Sequence, residues 1–348
     1  MTHAVVDLDE DGRLLVPGTR TPVPEARVAE HLARHLKVPE RATDLYVYVH
    51  GWQTGAQAAG RAADALIARA VDLARTAPAA YPGLTGRGYR PWCVVVRWPS
   101  SSLPSPAGYR RIRDRAHAMS GPGRGQAGFV IGHLLGYLDA TRGRPDAPEV
   151  LANRSGQYLH LVGHSFGGRF LCEAVQWAAE RPAAGPRVLG WSGRTDPARP
   201  FTVDSALVFQ MAAPRDAFDR LFPRLFRAPE RPEGRPARPG APLRGPLVLT
   251  HSRWDRATGF WHLRAEGQPG IGHSGVGTAP VRQFSTTLLA THTPYPKRVL
   301  DHPIVNVDAG RVFRGSAAGR RLAPAGAHSD FQHPESAHLL LSLAAYSR

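Results

Sequence analysis

Lysine, cysteine and long apolar runs are scarce in this sequence. Among its 348 residues Lys37 and Lys297 are the only lysines, so arginine supplies almost all of the formal net charge of +16. No dense basic run is interleaved with aromatic residues, although such runs are typical of proteins that bind nucleic acid. We therefore expect a generally basic surface and no nucleic-acid partner.

The few cysteines and the N-terminus exclude further classes of protein. Cys93 and Cys172 both lie in apolar runs, which is typical of small core residues and not of a disulfide framework. The first ten residues are acidic and lack the apolar region of a secretory signal. No run approaches the roughly 20 apolar residues that cross a bilayer. We expect no stable membrane insertion, and the simplest location is the cytoplasm.

The chain has 16 histidines, but they lack the spacing that is typical of metal ligands. His160 and His164 belong to a predicted strand and turn, and do not form the helical H-x-x-x-H pair of many zinc enzymes. No cysteine or acidic cluster has zinc-ligand spacing. We expect neither a catalytic metal nor another cofactor.

The most informative stretch runs from Tyr158 to Leu171. It begins as an apolar run with strand character, breaks at Gly163, presents Ser165 and breaks again at Gly167. The residues that follow have helical spacing. A Gly-x-Ser-x-Gly pattern between a strand and a helix is the signature of a nucleophile elbow, whose tight turn needs flanking residues without Cβ. The N-terminus of the helix then favours negative charge developing near the serine. A glycine-rich turn with a spectator serine is the competing interpretation.

The elbow resembles that of the α/β-hydrolase superfamily, and is most similar to the esterase- and lipase-like branch whose elbow reads Gly-His-Ser-x-Gly-Gly. The resemblance spans roughly residues 40 to 345. It implies an α/β-hydrolase fold with a mostly parallel central sheet, helices on both faces and inserted loops. It also implies that Ser165 is a catalytic nucleophile.

The order of apolar runs along the chain predicts the same fold class, because strands alternate with helices. We expect one domain over 1–348, with an N-terminal extension at 1–40, a candidate helical lid at 99–145 and a flexible proline- and arginine-rich loop at 228–246. A short hairpin is expected within 4–16. The other expected strands are 45–49, 92–97, the run before the elbow, 205–211, 247–252 and 304–307, and the expected helices are 24–36, 57–74, 109–119, 126–140, the one after the elbow, and 334–346.

A serine nucleophile needs a general base, and the base needs an orienting carboxylate. In α/β-hydrolases the chain order is serine, acid, histidine. Asp255 fits the acid, because it follows the predicted strand 247–252 at the end where parallel strands converge on a ligand crevice. A helix N-cap or a partner for nearby arginines is its alternative role, and Asp216 is the main rival acid.

The histidine candidate is His328, in a polar loop between the last predicted strand and the final helix. This position suits a loop that docks back on the elbow and completes the triad. The other late histidines have other expected roles. His338 lies inside the final helix, His333 immediately precedes that helix, and His302 precedes the last strand.

Two backbone N–H groups are expected to form an oxyanion hole. One belongs to Phe166, directly after the nucleophile. The other is expected in the loop that begins at His50 and Gly51, which resembles the H-G-x-x-x-G loop of many esterases and lipases. On that resemblance the donor is Trp52, with its neighbour Gln53 as the alternative. A glycine turn beside a core tryptophan is the competing interpretation.

These residues indicate a serine hydrolase that cleaves an ester or thioester through an acyl-enzyme on Ser165. An acyltransferase with the same triad and a non-catalytic binding protein of the same fold are the alternatives. Aromatic residues near the expected site favour a small-molecule or lipid-like ester as substrate. They are Trp52, Phe166, Trp254, Phe260 and Trp261.

Overall fold

The structure, a computed structural model, describes residues 3–84, 88–103, 105–120, 125–142, 157–179, 203–226, 243, 246–315 and 324–348. Within these ranges eight strands form one sheet, in the order β1-β3-β2-β4-β5-β6-β8-β7, and all seven pairings are parallel. The predicted α/β fold with a mostly parallel sheet is therefore confirmed. The strands are β1 (Ala4–Asp7), β2 (Asp44–Val49), β3 (Pro91–Arg97), β4 (Tyr158–His164), β5 (Ser205–Phe209), β6 (Leu247–His251), β7 (Gln283–Thr287) and β8 (Ile304–Asp308).

The central strands are rich in apolar residues because both faces of the sheet are covered. In β2 the side chains of Leu45, Val47 and Val49 belong to one core cluster, and those of Tyr46 and Tyr48 belong to the cluster on the opposite face. All six residues of β2 are buried. The sheet thus separates two hydrophobic cores, each closed by helices.

Helices lie on both faces of this sheet. The helices α1, α3, α4 and α5 contribute to the first core, and α2, α9 and α10 contribute to the second. The helices are α1 (Val28–His35), α2 (Ala56–Thr76), α3 (Pro106–Ser120), α4 (Ala127–Arg142), α5 (Phe166–Ala179), α6 (Ala217–Arg220), α7 (His262–Glu266), α8 (Ile271–Ser274), α9 (Lys297–Leu300) and α10 (Pro334–Tyr346). A π-helical turn, Ala257–Trp261, precedes α7.

The two edges of the sheet differ from the sequence-based expectation. At one edge Ala4–Asp7 pairs in parallel with β3, and only isolated antiparallel bridges, such as Leu8 with Leu14, follow it where a hairpin was expected. At the other edge β7 was not predicted. Its residues are half-buried or exposed, and none is fully buried. A short polar edge strand of this kind lacks the apolar run that marks the inner strands.

The candidate lid at 99–145 contains α3 and α4. Both helices pack against α5, and their inward side chains, such as Ile112, Met119 and Leu134, are part of the first core. Opening of this segment stays a prediction. Most of the loop expected to be flexible, 228–246, lies outside the described residues. Within the described part of the chain, no helix is long and apolar enough to cross a membrane.

Candidate active site

The turn between β4 and α5 has the geometry of an elbow. Ser165 has a φ of 57°, in the left-handed region that non-glycine residues rarely adopt. Its N–H donates to the Phe209 carbonyl at 2.9 Å, and α5 begins at the next residue, Phe166. A backbone conformation of this kind costs of order 1–3 kcal/mol and persists where the surrounding structure holds it in place.

The glycines of the motif are explained by close backbone contacts. A Cβ on Gly163 would lie 2.5 Å from the Gly168 Cα, and one on Gly167 would collide with the carbonyl oxygens of Val49 and His50. The start of α5 therefore packs directly on the ends of β2 and β4. Any side chain at either glycine would push Ser165 away from the edge of the sheet.

Three residues that are far apart in the chain meet beside the C-terminal end of β4. The Ser165 Oγ lies 2.6 Å from the His328 Nε2, and the His328 Nδ1 lies 2.8 Å from the Asp255 Oδ2. All three side chains are buried. The structure thus brings together the serine, acid and histidine that the sequence pattern selects, in one continuous chain of hydrogen bonds.

The Asp255 carboxylate is fixed through both of its oxygens. Oδ2 accepts a hydrogen bond from the His328 imidazole, and Oδ1 accepts one from the Thr258 N–H at 3.0 Å. Burial by itself raises the pKa of Asp255, but the charge of His328 and these hydrogen bonds outweigh it and hold the pKa below the ordinary value. The residue is therefore an ionised acceptor for His328.

The loop that carries His328 pairs with the loop that carries Asp255. Gly326 forms an antiparallel bridge with Asp255, and the Ala327 N–H donates to the Trp254 carbonyl at 3.0 Å. Gly326 has a φ of 61°, and a Cβ there would collide with the Trp254 carbonyl oxygen. The acid and the histidine are consequently positioned by one shared piece of backbone.

Two further residues, to which the sequence analysis gave no role in the site, donate hydrogen bonds to the loop that carries His328. The Gln210 Nε2 donates to the Ala327 carbonyl at 3.0 Å, and the His164 Nε2 donates to the His328 carbonyl at 2.8 Å. Burial, and next the neighbouring His328, lower the pKa of His164 to about 3. His164 is thus neutral, with its Nε2 proton fixed by the carbonyl. Its place in the elbow motif was the one signal in the sequence that pointed to it.

The loop after β2 contacts Ser165 through Gly51. A Cβ on Gly51 would stand 2.7 Å from the Ser165 Cβ. The Gln53 N–H donates to the Ser100 carbonyl at 3.2 Å. Within the described part of the chain, the N–H groups of Trp52 and Phe166 donate to no other group. Of the two neighbours in this loop, Trp52 therefore retains the free donor.

This loop is anchored by His50. The His50 Nε2 accepts a hydrogen bond from the Trp98 N–H at 3.2 Å, and its Nδ1 donates to the Gly51 carbonyl at 3.1 Å. Burial lowers the pKa of His50 to about 4, so the imidazole is neutral and can accept through one nitrogen while donating through the other. The Trp52 Nε1 also donates to the Ser102 Oγ at 2.8 Å.

The rival residues lie elsewhere. Asp216 pairs with Arg220 at 3.0 Å near the surface. His338 is buried in α10, where Nδ1 meets the Tyr81 hydroxyl at 2.6 Å, and His302 stacks on an aromatic ring of β7. His333 contacts Asp330 in the entry to α10. None of the four has a hydrogen bond to Ser165 within the described residues.

No protein-family profile and no curated protein matches this chain. In the described ranges no three histidine, cysteine, aspartate or glutamate side chains are grouped to hold a metal ion. The groups that the site does offer are a hydroxyl, a base within hydrogen-bonding distance of it, an ionised orienting carboxylate and two free N–H donors.

Proposed function

We propose that this protein is a serine hydrolase of the α/β-hydrolase superfamily, which cleaves an ester or thioester through an acyl-enzyme on Ser165. The observation that carries the proposal is the chain of hydrogen bonds from Ser165 through His328 to Asp255, at 2.6 and 2.8 Å. A nucleophile, a base and an orienting acid in this arrangement are the triad of serine hydrolases. The strained φ of Ser165 gives independent support.

In the first half of the reaction, the Ser165 Oγ attacks the carbonyl carbon of the ester and His328 accepts the hydroxyl proton at Nε2. The carbonyl π electrons move onto the oxygen, which becomes negative. The free N–H groups of Trp52 and Phe166 are the donors for this oxyanion. The tetrahedral intermediate then expels the alcohol or thiol, which takes the proton from His328, and the acyl group stays on Ser165.

In the second half, His328 deprotonates a water molecule, which attacks the acyl carbon. The bond to the Ser165 Oγ breaks, the serine recovers its proton from His328, and the carboxylic acid leaves. Asp255 stays ionised throughout. Its role is to hold the His328 Nδ1 proton in place and to stabilise the imidazolium that forms in each half.

Aromatic residues around Ser165 support a substrate with an apolar part. The Tyr109 ring packs on Phe166 with 4.7 Å between ring centroids, and on Trp52 at 5.5 Å. Phe260, on the π-helical turn after Asp255, is 39% exposed. We propose that the apolar part of a small-molecule or lipid-like ester packs on exposed aromatic rings such as that of Phe260.

The experiment combines a fluorophosphonate probe with p-nitrophenyl esters of increasing acyl length. The wild type is expected to be labelled and to hydrolyse some of the esters, and Ser165→Ala to lose both properties. Labelling that persists in Ser165→Ala would remove Ser165 from the proposal. His328→Ala is expected to lose hydrolysis, because the base is gone.

Product analysis separates the alternatives. With alcohols and amines added as competing acceptors, a hydrolase releases mainly free acid, whereas an acyltransferase gives mainly the transfer product. A protein that is neither labelled nor active, yet binds esters tightly, is a binding protein of the same fold.

A further inference from the structure

Tyr109 packs on Phe166, the residue after Ser165, and takes no part in the proposed proton transfers. It belongs to α3, and its ring contacts both residues proposed to supply the oxyanion donors, Trp52 and Phe166. The Tyr109 ring also packs edge-to-face with the His262 ring, with 5.9 Å between the ring centroids. Tyr109 and His262 are 1% and 0% exposed. Both side chains are therefore enclosed by the protein.

Both of these buried side chains carry a polar atom without a hydrogen-bond partner. The two atoms are the Tyr109 hydroxyl oxygen and the His262 Nε2. A buried donor or acceptor left unpaired is costly, and most such atoms in proteins are satisfied. Two of them on adjacent rings, one of which packs on the residue after Ser165, indicate a place where a ligand supplies the missing partner.

The hydrogen-bonding character of each atom is defined by its surroundings. The His262 Nδ1 donates to the Gln268 carbonyl at 2.8 Å, and burial lowers the pKa of His262, so the neutral ring keeps Nε2 as an acceptor. Burial, and next the Glu266 carboxylate, raise the pKa of Tyr109 well above its ordinary value, so its hydroxyl stays a donor. The pair thus offers one donor and one acceptor.

The charges around the pair disfavour an anionic ligand. Arg169 pairs with Glu266 at 2.9 Å and with Glu173 at 3.5 Å, and all three side chains are largely buried. Two carboxylates thus share one guanidinium. The His262 Nε2 lies 3.7 Å from the Glu266 carboxylate. A carboxylate or phosphate brought to this place would be repelled, whereas a neutral group that both donates and accepts would not.

We infer that the Tyr109 hydroxyl and the His262 Nε2 bind a hydroxyl group of the substrate, so that the site selects hydroxylated esters. This inference rests on the proposed hydrolase function. A substrate hydroxyl accepts from Tyr109 and donates to His262, which satisfies both buried atoms at once. An ester without that hydroxyl leaves them unpaired, and sites built in this way reject the analogue that lacks the group.

The test uses two pairs of esters in which a methyl group replaces the hydroxyl. The p-nitrophenyl ester of 3-hydroxybutyrate is compared with that of 3-methylbutyrate, and 2-hydroxyethyl butyrate is compared with propyl butyrate. The first pair places the hydroxyl on the acyl side and the second on the alcohol side. For one of the two pairs, kcat/KM of the hydroxylated ester is expected to be about 10-fold or more higher than that of its methyl analogue. One to two neutral hydrogen bonds are worth a ratio of this size.

The variant is Tyr109→Phe, which keeps the ring and removes only the hydroxyl. It is expected to bring the ratio for the preferred pair close to one. Tyr89→Phe is the matched control, because the Tyr89 hydroxyl donates to Tyr46 at 2.9 Å in the core on the other face of the sheet. The control is expected to keep the ratio. Fluorophosphonate labelling of Ser165 reports whether each variant has folded.

The outcomes distinguish this inference from the proposed function. A wild type that is labelled at Ser165 and hydrolyses both members of each pair at similar rates overturns the inference and leaves the hydrolase in place. A ratio that survives in a labelled Tyr109→Phe enzyme also overturns it. A wild-type protein that is neither labelled nor active contradicts both the inference and the proposed hydrolase function. If Tyr109→Phe does not fold, the wild-type ratios alone decide.

Discussion

A methyl group on Gly51 would stand 2.7 Å from the Cβ of Ser165 and 2.9 Å from the Nδ1 of His164. Real Cβ atoms essentially never approach other atoms so closely. The loop after β2 consequently lies against Ser165, which it contacts through the backbone of Gly51 alone. This contact sets where the next N–H, that of Trp52, can be placed relative to the Ser165 Oγ.

Gly51→Ala is expected to lower kcat on p-nitrophenyl esters by about 100-fold, the typical cost of losing one oxyanion donor. The added methyl group forces the loop away from Ser165 and takes the Trp52 N–H with it. Steady-state kinetics would measure the effect, and circular dichroism would show that the fold is kept.

Gly55→Ala is the matched control for this loop. A Cβ on Gly55 meets nothing within 4 Å, and its φ of −70° suits any residue. The control should retain activity close to that of the wild type. Equal activity of the two alanine variants would show that the position of this loop does not matter for the reaction.

Asp255→Asn is expected to reduce kcat by about 10³- to 10⁴-fold while the protein remains folded. The amide N–H₂ of asparagine donates to the His328 Nδ1, which must then be unprotonated. The neutral imidazole therefore carries its proton on Nε2, next to Ser165, and cannot accept the serine proton there. The rival acid gives the control, because Asp216 pairs with Arg220 near the surface. Asp216→Asn should keep wild-type activity, and the reverse ranking would move the role of acid from Asp255 to Asp216.

The fold class and the meeting of Ser165, Asp255 and His328 could be predicted because each depends on local pattern. An apolar run followed by a tight turn marks the end of a buried strand, and parallel strands bring their ends to one edge. The order serine, acid, histidine, which the resemblance to α/β-hydrolases implies, then favours Asp255 and His328, with Asp216 as the rival acid. The catalytic roles stay a prediction, but the contacts that those roles require are present.

The residues that complete the site could not be predicted because their partners are distant in the chain. Gln210 contacts Ala327 across 117 positions, and nothing near Gln210 in the sequence indicates that contact. Tyr109 has the helical spacing of an ordinary core residue, so its unpaired hydroxyl becomes visible only when α3, α5 and α7 are packed together. Periodicity reports which side chains are buried, not what they touch.

The two neutral histidines of the site predict a loss of stability in mild acid. The pKa is about 4 for His50 and about 3 for His164, against 6.5 for an unperturbed histidine. Below pH 6.5 the unfolded chain therefore binds protons that the folded protein excludes. The stabilisation is complete above pH 6.5 and falls by about 1.4 kcal/mol per pH unit for each histidine until the folded pKa is reached.

Urea unfolding between pH 7.5 and 5 measures this slope. His164→Gln should reduce the slope of the unfolding free energy against pH by the contribution of about one proton. Glutamine can still donate to the His328 carbonyl but does not titrate. The control is His292→Gln, at an exposed loop position, which should leave the slope unchanged. Parallel slopes for the wild type and His164→Gln would mean that His164 is protonated in the folded protein.

The last prediction concerns a buried ion pair at the start of β2, at the opposite ends of the strands from Ser165. Asp44, which is fully buried, accepts hydrogen bonds from both Nη atoms of Arg348, at 3.1 and 2.7 Å, and contacts the His160 Nε2 at 3.1 Å. Burial alone raises the pKa of Asp44, but His160 and Arg348 outweigh it and lower the pKa below 3.8. The carboxylate is therefore ionised and fully paired.

Asp44→Asn should lower the free energy of unfolding at pH 7 by about 3–5 kcal/mol, because it leaves the Arg348 guanidinium without its counter-charge. Asp72→Asn is the control, since its pair with Arg75 is exposed and such pairs contribute less than about 1 kcal/mol. The stabilisation by Asp44 is present above its unfolded pKa of 3.8 and is lost as the pH falls through the lower folded value. The difference between wild type and Asp44→Asn should therefore shrink in strong acid, and a difference that stays constant down to pH 2 would show that packing, and not charge, accounts for it.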